Sequence, residues 1–219
     1  MASWMVHFRI ADIIMDYIPN VDMEQFIVGN IAPDCGEPNE DWSDFTPSPK
    51  ITHWNDTGEK QDIDYEKFFD TYIRDNEEKG KLSFYIGYYI HLITDVLWMK
   101  MILSSTKEKF KEAFLNDKNF IWTVKEDWYN LDHLFLRNNP DFRTFRIFDK
   151  IKAFPNVYLD YYSDTAIEKQ IKYISDFYNN FTGNLDGEYR YLNESQMNDY
   201  VKEGSEYILE HLKEKRIIE

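Results

Sequence analysis

The chain carries a single cysteine, Cys35, in 219 residues. No internal disulfide can form, which fits a reducing interior and gives a cytoplasmic location as the expectation. Cys35 follows directly on Asp34, but no catalytic His accompanies it in a nucleophile motif, so it reads as a small turn residue. A CxxC pair, a Gly-rich phosphate loop and a Ser-His-Asp motif are all missing, which sets aside dithiol redox chemistry, P-loop phosphate binding and serine-type acyl transfer. No run approaches the roughly 20 consecutive apolar residues that cross a bilayer. The stretch 1–17 is apolar but broken by Arg9, Asp12 and Asp16 and lacks a small-residue cleavage site, so it is expected to be a helix of the mature protein. Positive charge is also scarce, with 25 Lys and Arg against 40 Asp and Glu and a net charge of −15. Nucleic-acid binders display a basic stripe, and this balance slows approach to nucleic acid or anionic membrane; no nucleic-acid partner is expected.

What the chain does have is apolar and aromatic mass: 43% hydrophobic residues, 16 Phe, 16 Tyr and 6 Trp. That is enough to bury a sizeable core in one domain spanning 1–219. Helical periodicity is visible over 4–17, 23–30, 64–76, 82–103, 107–116, 119–136, 143–152, 164–181 and 195–215, which makes the expected fold all-α, a single compact multi-helix domain. Ser195 and Asp164 are the expected starts of the last two helices. Between the second and third helical stretches lies a long irregular segment, about 33–63, holding Pro33, Pro38, Pro47, Pro49, Gly36 and Gly58. Loops of this length inside a compact domain are usually functional or disordered, and Asp34 and His53 within this one favour function.

The sharpest chemical signal is in 87–95, Gly-Tyr-Tyr-Ile-His-Leu-Ile-Thr-Asp. His91 and Asp95 are four apart and share a helix face. The surrounding run, Phe84 to Trp98, is apolar nearly all round, as in a buried helix, and an ionised Asp buried there needs a cation or several donors. An Asp fixing a core His would give the same pair. Three further donors lie upstream, His7, Asp34 and His53, and neutral nitrogens with hard anionic oxygens are what zinc accepts. His211, near the C-terminus among Glu and Lys, reads as a surface residue favourable to the helix dipole. Trp4, Trp54, Tyr88 and Trp98 are expected in core packing, with a substrate-pocket wall as the alternative.

Taken in order, His7, the turn Gly29-Asn30-Ile31-Ala32-Pro33-Asp34, Thr52-His53-Trp54 and the helix from Gly87-Tyr88 through His91 to Asp95 resemble the bacterial zinc-dependent phospholipase C family. That family is all-α and related in fold to the single-strand-specific fungal zinc nucleases. The resemblance implies that Asp34, His53, His91 and Asp95 surround one zinc, that Asp95 bridges to a second metal held also by His7, and that Asp34 orients or deprotonates the attacking water. Two departures stand out. Secreted members ligate metal through the amine and carbonyl of a mature N-terminal Trp, whereas this sequence reads Met1-Ala2-Ser3-Trp4. Fully equipped members also place two His and a Glu after the helix bearing the His and Asp pair. Nothing after Trp98 repeats this, the nearest residues being Glu126, Asp127, Asp132 and His133, of which Asp132 and His133 are kept as auxiliary ligand candidates.

The resemblance therefore implies one or two Zn2+ ions without a complete three-metal centre. It also implies a zinc-dependent phosphoester hydrolase acting on a phosphoester or phospholipid. The rival expectation is a non-catalytic, metal-stabilised helical interaction protein, in which zinc ties the 33–63 loop to the core. An open coordination position distinguishes a catalytic zinc from a structural one.

Overall fold

The computed structural model describes residues 2–41, 43–58, 62–76 and 78–219. It is all-α apart from one two-stranded antiparallel ribbon. The helices are α1 (Trp4–Met15), α2 (Met23–Gly29), α3 (Pro49–Thr52), α4 (Tyr65–Tyr72), α5 (Leu82–Trp98), α6 (Ser104–Lys109), α7 (Lys111–Asn116), α8 (Phe120–Asn138), α9 (Arg143–Phe148), α10 (Ala166–Asn179) and α11 (Glu194–Glu214). Local capping explains several starts. The Asp22 carboxylate accepts from Gln25 N, Asp64 accepts from Lys67 N, and Asn193 and Gln196 close a reciprocal capping box. The start of the last helix is thus set by Asn193 rather than Ser195, and α10 begins after Thr165, with no side-chain cap from Asp164.

Helix α5 is the axis of the domain. Every side chain from Phe84 to Trp98 is buried, and α1, α2, α4 and α11 all pack against it. With its flanking turns it runs over Lys79–Lys109, long and apolar enough to cross a membrane by length and composition, but 83% of that apolar window is buried inside the fold. A single π turn, Met99–Leu103, follows it. Large rings fill the space around this helix in edge and offset contacts: Trp98 meets Trp128 at 5.0 Å and Tyr200 at 4.8 Å, and Phe68 stacks on Tyr88 at 4.5 Å. Burying each such side chain stabilises the fold by roughly 2–3 kcal/mol.

Two glycines let α2 lie unusually close to α5. A Cβ on Gly29 would stand 2.0 Å from the Phe84 carbonyl oxygen, and one on Gly87 would stand 2.1 Å from that of Phe26. Only a residue without a side chain permits such a backbone-to-backbone approach.

The described part of the 33–63 segment is more structured than its Pro and Gly content suggests. It opens with a 3-10 turn, Ala32–Asp34, continues as β1 (Glu37–Pro38) paired with β2 (Phe45–Thr46), and then forms α3. The core fastens it at several points. The Tyr88 hydroxyl donates to the Thr52 carbonyl, and Tyr162 donates to the Ala32 carbonyl at 2.5 Å. Trp54, at a left-handed φ of 52°, turns the chain out of α3 and packs edge-on against Phe68.

Candidate metal centre

Three chain segments meet at one buried point. α1 supplies His7, α5 supplies His91 and Asp95, and the folded 33–63 segment supplies Asp34 from its first turn and His53 from the end of α3. The donor atoms form two triplets, His7, His91 and Asp95, and Asp34, His53 and His91, each with all atoms within 4.8 Å of one another. Asp95 faces both sides: Oδ1 lies 3.4 Å from His7 Nε2, while Oδ2 lies 3.5 Å from His53 Nε2 and 3.7 Å from His91 Nε2. His53 Nε2 is also 3.4 Å from Asp34 Oδ1. Four-coordinate zinc at a ligand distance of about 2.1 Å has tetrahedron edges of about 3.4 Å, so this spacing suits donors around an ion.

The electrostatics point the same way. Among the described residues, neither ring nitrogen of His7 and neither Nε2 of His53 and His91 makes a hydrogen bond, although all are buried. Buried polar atoms are normally satisfied, so such atoms aimed at one point mark a place for a cation. Burial, and after it the neighbouring His7, drives His91 down to about 3, leaving it neutral as a ligand must be. Burial pushes the Asp34 carboxyl up, but the adjacent His53 imidazole and His91 outweigh this and hold it at about 2. Ionised Asp34 and Asp95 place two negative charges in the interior, which a divalent cation offsets. The residues therefore fit zinc.

Supporting contacts fix the donors. The Nδ1 of His91 lies 2.8 Å from the Asn30 carbonyl oxygen; donation there leaves Nε2 as the free lone pair, the usual way a ligand imidazole is oriented. The Asn30 side chain donates to the Gly87 carbonyl at 3.1 Å, so Asn30 ties the close α2–α5 crossing to the metal donors. The Ala2 amide donates to Asp95 Oδ1 at 2.7 Å, and Trp4 Nε1 donates to Asp34 Oδ2 at 2.9 Å. Sequence reasoning missed these roles. Asn30 was within reach because it follows Gly29 in the turn 29–34, whereas nothing in the sequence marks Ala2.

Asp132 and His133 are not brought to this cluster. Asp132 is wholly buried and accepts from Ser3 Oγ at 2.7 Å and Tyr178 OH at 2.9 Å, and burial raises it to about 7. Its partners are hydroxyls, which satisfy it without a metal. His133 stacks on Phe181 at 3.8 Å and lines a separate cleft of about 480 Å³ with Arg137 and Arg146. Neighbouring Asp127 accepts from the Tyr191 amide at 2.6 Å. His211 is likewise not a surface residue: its side chain is 12% exposed and its Nε2 lies 2.6 Å from the Tyr89 hydroxyl, because α11 packs back against α5.

A cleft of about 540 Å³ opens above Asp34 and His53. Its walls are largely apolar and include the aromatic rings of Trp4, Phe45, Trp122, Tyr129, Tyr173 and Phe177. Trp4 thus serves as a wall of this cleft, while Trp98 is core packing.

An all-helical domain with a buried cluster of His and Asp donors beneath an apolar cleft defines a metal-binding helical protein. The family model described as zinc dependent phospholipase C matches residues 6–122, more than half of the chain, and the chain belongs to that zinc-dependent family. Comparison with curated proteins and with solved structures gave no match.

Proposed function

We propose that the protein is a zinc-dependent phosphoester hydrolase of the phospholipase C type, with a phospholipid as the substrate class. The observation that carries this reading is the asymmetry of the donor cluster. His7, His91 and Asp95 are sealed in the core, while Asp34 and His53 line the cleft. A structural zinc is closed on all sides by protein, whereas a catalytic one keeps a position for water and substrate.

Asp34, His53, His91 and Asp95 would hold one ion, and His7 with Asp95 a second. Bound there, zinc supplies Lewis acidity, lowering the pKa of water and stabilising charge on a phosphoryl oxygen. The chain's own residues do the rest. Asp34 is held ionised at the cleft floor, where a carboxylate oxygen can orient the attacking water and accept its proton. The Trp4 indole N–H fixes the carboxylate's other oxygen. The aromatic walls exclude water and offer an apolar surface to a lipid's glycerol and acyl portions.

Asp34→Asn tests the assignment. The amide still coordinates weakly but cannot take a proton, so most zinc should be retained while turnover falls by about a hundredfold or more. Turnover is to be measured on a zwitterionic phospholipid and on a small chromogenic diester. The missing downstream His and Glu set favours the rival, a non-catalytic zinc-stabilised protein. Absence of turnover in the zinc-loaded parent on every phosphoester would establish that rival instead.

A further inference from the structure

Lys125, on α8, is the only Lys or Arg among the described residues lining the cleft over Asp34 and His53. Apart from Asp34 and His53, the other lining side chains among the described residues are uncharged. The Lys125 ammonium lies 4.5 Å from the centroid of the Trp122 ring, a cation–π contact that holds a flexible stem against one wall. Trp122 is itself 59% exposed, so the pair stands at the mouth of the cleft. A phosphodiester is an anion, and to reach the cleft floor it must enter a protein of net charge −15 and approach the carboxylate of Asp34. In a cleft with apolar walls, attraction to a nearby cation is stronger than in open water.

We propose that Lys125 is a substrate-binding residue that receives a non-bridging phosphoryl oxygen as the diester enters. It thereby offsets the repulsion that the acidic surface and Asp34 impose. The substrate's identity as a phosphoester rests on the preceding reading; the capacity of Lys125 to bind a diester anion does not.

The test uses the zinc-loaded full chain, its Lys125→Met and Lys125→Arg variants, and dibutyl phosphate as the probe, with affinity read by calorimetry and zinc content measured for each protein. Lys125→Met should weaken dibutyl phosphate binding by about tenfold, as expected for losing a charge-assisted hydrogen bond. Lys125→Arg should restore most of it, with zinc content equal in all three. Equal affinity in parent and Lys125→Met, or no binding by the parent, would overturn the assignment. If Lys125→Met fails to fold, the parent decides: affinity falling severalfold between about 50 and about 300 mM salt supports a cationic contact, and a flat profile refutes it. Loss of affinity in Lys125→Met alongside no phosphoester turnover by the parent would sink the hydrolase reading alone. Normal turnover with unchanged affinity would sink the Lys125 assignment alone.

Discussion

Replacing Gly87 by Ala should disturb the metal centre through a contact that involves no ligand. The added Cβ would lie 2.1 Å from the Phe26 carbonyl oxygen and 2.9 Å from the Asn30 nitrogen, so α2 and α5 must separate by about 1 Å to reach ordinary contact. The Asn30 carbonyl moves with α2, and its 2.8 Å contact to His91 Nδ1 opens beyond hydrogen-bond range. Overpacking costs about 1–3 kcal/mol and the lost bond about 1 kcal/mol more. For a chain of this length the thermal midpoint should fall by about 5–15 °C. Loss of the group orienting His91 should weaken zinc binding by about ten- to a hundredfold. Scanning calorimetry gives the first number and competition against a chromogenic chelator the second. Gly80→Ala is the control, since nothing lies within 4 Å of a Cβ there, and it should behave as the parent does. A Gly87→Ala protein with the parent's midpoint and zinc affinity would refute the claim that this crossing sets the donor geometry.

His91→Ala and Asp95→Ala should each lower bound zinc, read by elemental analysis, and Asp95→Ala should lower it further because Asp95 faces three imidazoles. Zinc content equal to the parent's in both would remove these residues from the site. The zinc-free protein should lose stability as pH falls from about 6.5 toward 3. His91 stays neutral in the fold down to about 3, while the unfolded chain takes up a proton near the ordinary His value of about 6.5. The unfolded state therefore binds more protons across that window, and folding weakens with each step down. Thermal melts of chelated protein at a series of pH values check this; a midpoint that rises on acidification contradicts it.

The helices and the pairing of His91 with Asp95 were legible in the sequence because both follow from local spacing, whereas His7, Asp34 and His53 joined that pair only through the family resemblance. The i, i+4 relation of His91 and Asp95 needs only helical geometry, and the apolar run around them required a buried helix. The elements that hold the donors in place were not legible, because they depend on contacts between distant segments. The Asn30 carbonyl reaches His91 across a separation of 61 residues, and the Ala2 amide reaches Asp95 across 93. The 33–63 segment reads as irregular from its prolines, yet Tyr88 donates to its backbone at Thr52 and Tyr162 to the Ala32 carbonyl just before it, giving order that composition does not reveal. Asp132 shows the converse error. A buried Asp next to a His invites a metal, but Ser3 and Tyr178 satisfy it, and neither could be paired with it from spacing.

The donors and the cleft wall draw unequally on the two halves of the chain. All five clustered donors precede Val96 and fall within the family match. Part of the cleft wall comes from Lys125 and Tyr129 on α8 and from Gln170, Tyr173 and Phe177 on α10, beyond that match, while Trp4, Phe45 and Trp122 line it from the first 122 residues. The donors are fixed by close backbone packing and buried partners, so they tolerate little change. Lys125, Tyr129, Gln170, Tyr173 and Phe177 stand at a partly open surface, where exchange of one side chain for another costs less stability. Metal binding and selectivity are therefore separable in this architecture. Under the proposed hydrolase reading, variation at these α8 and α10 positions is expected to change which ester enters, while zinc content, read by elemental analysis, stays that of the parent.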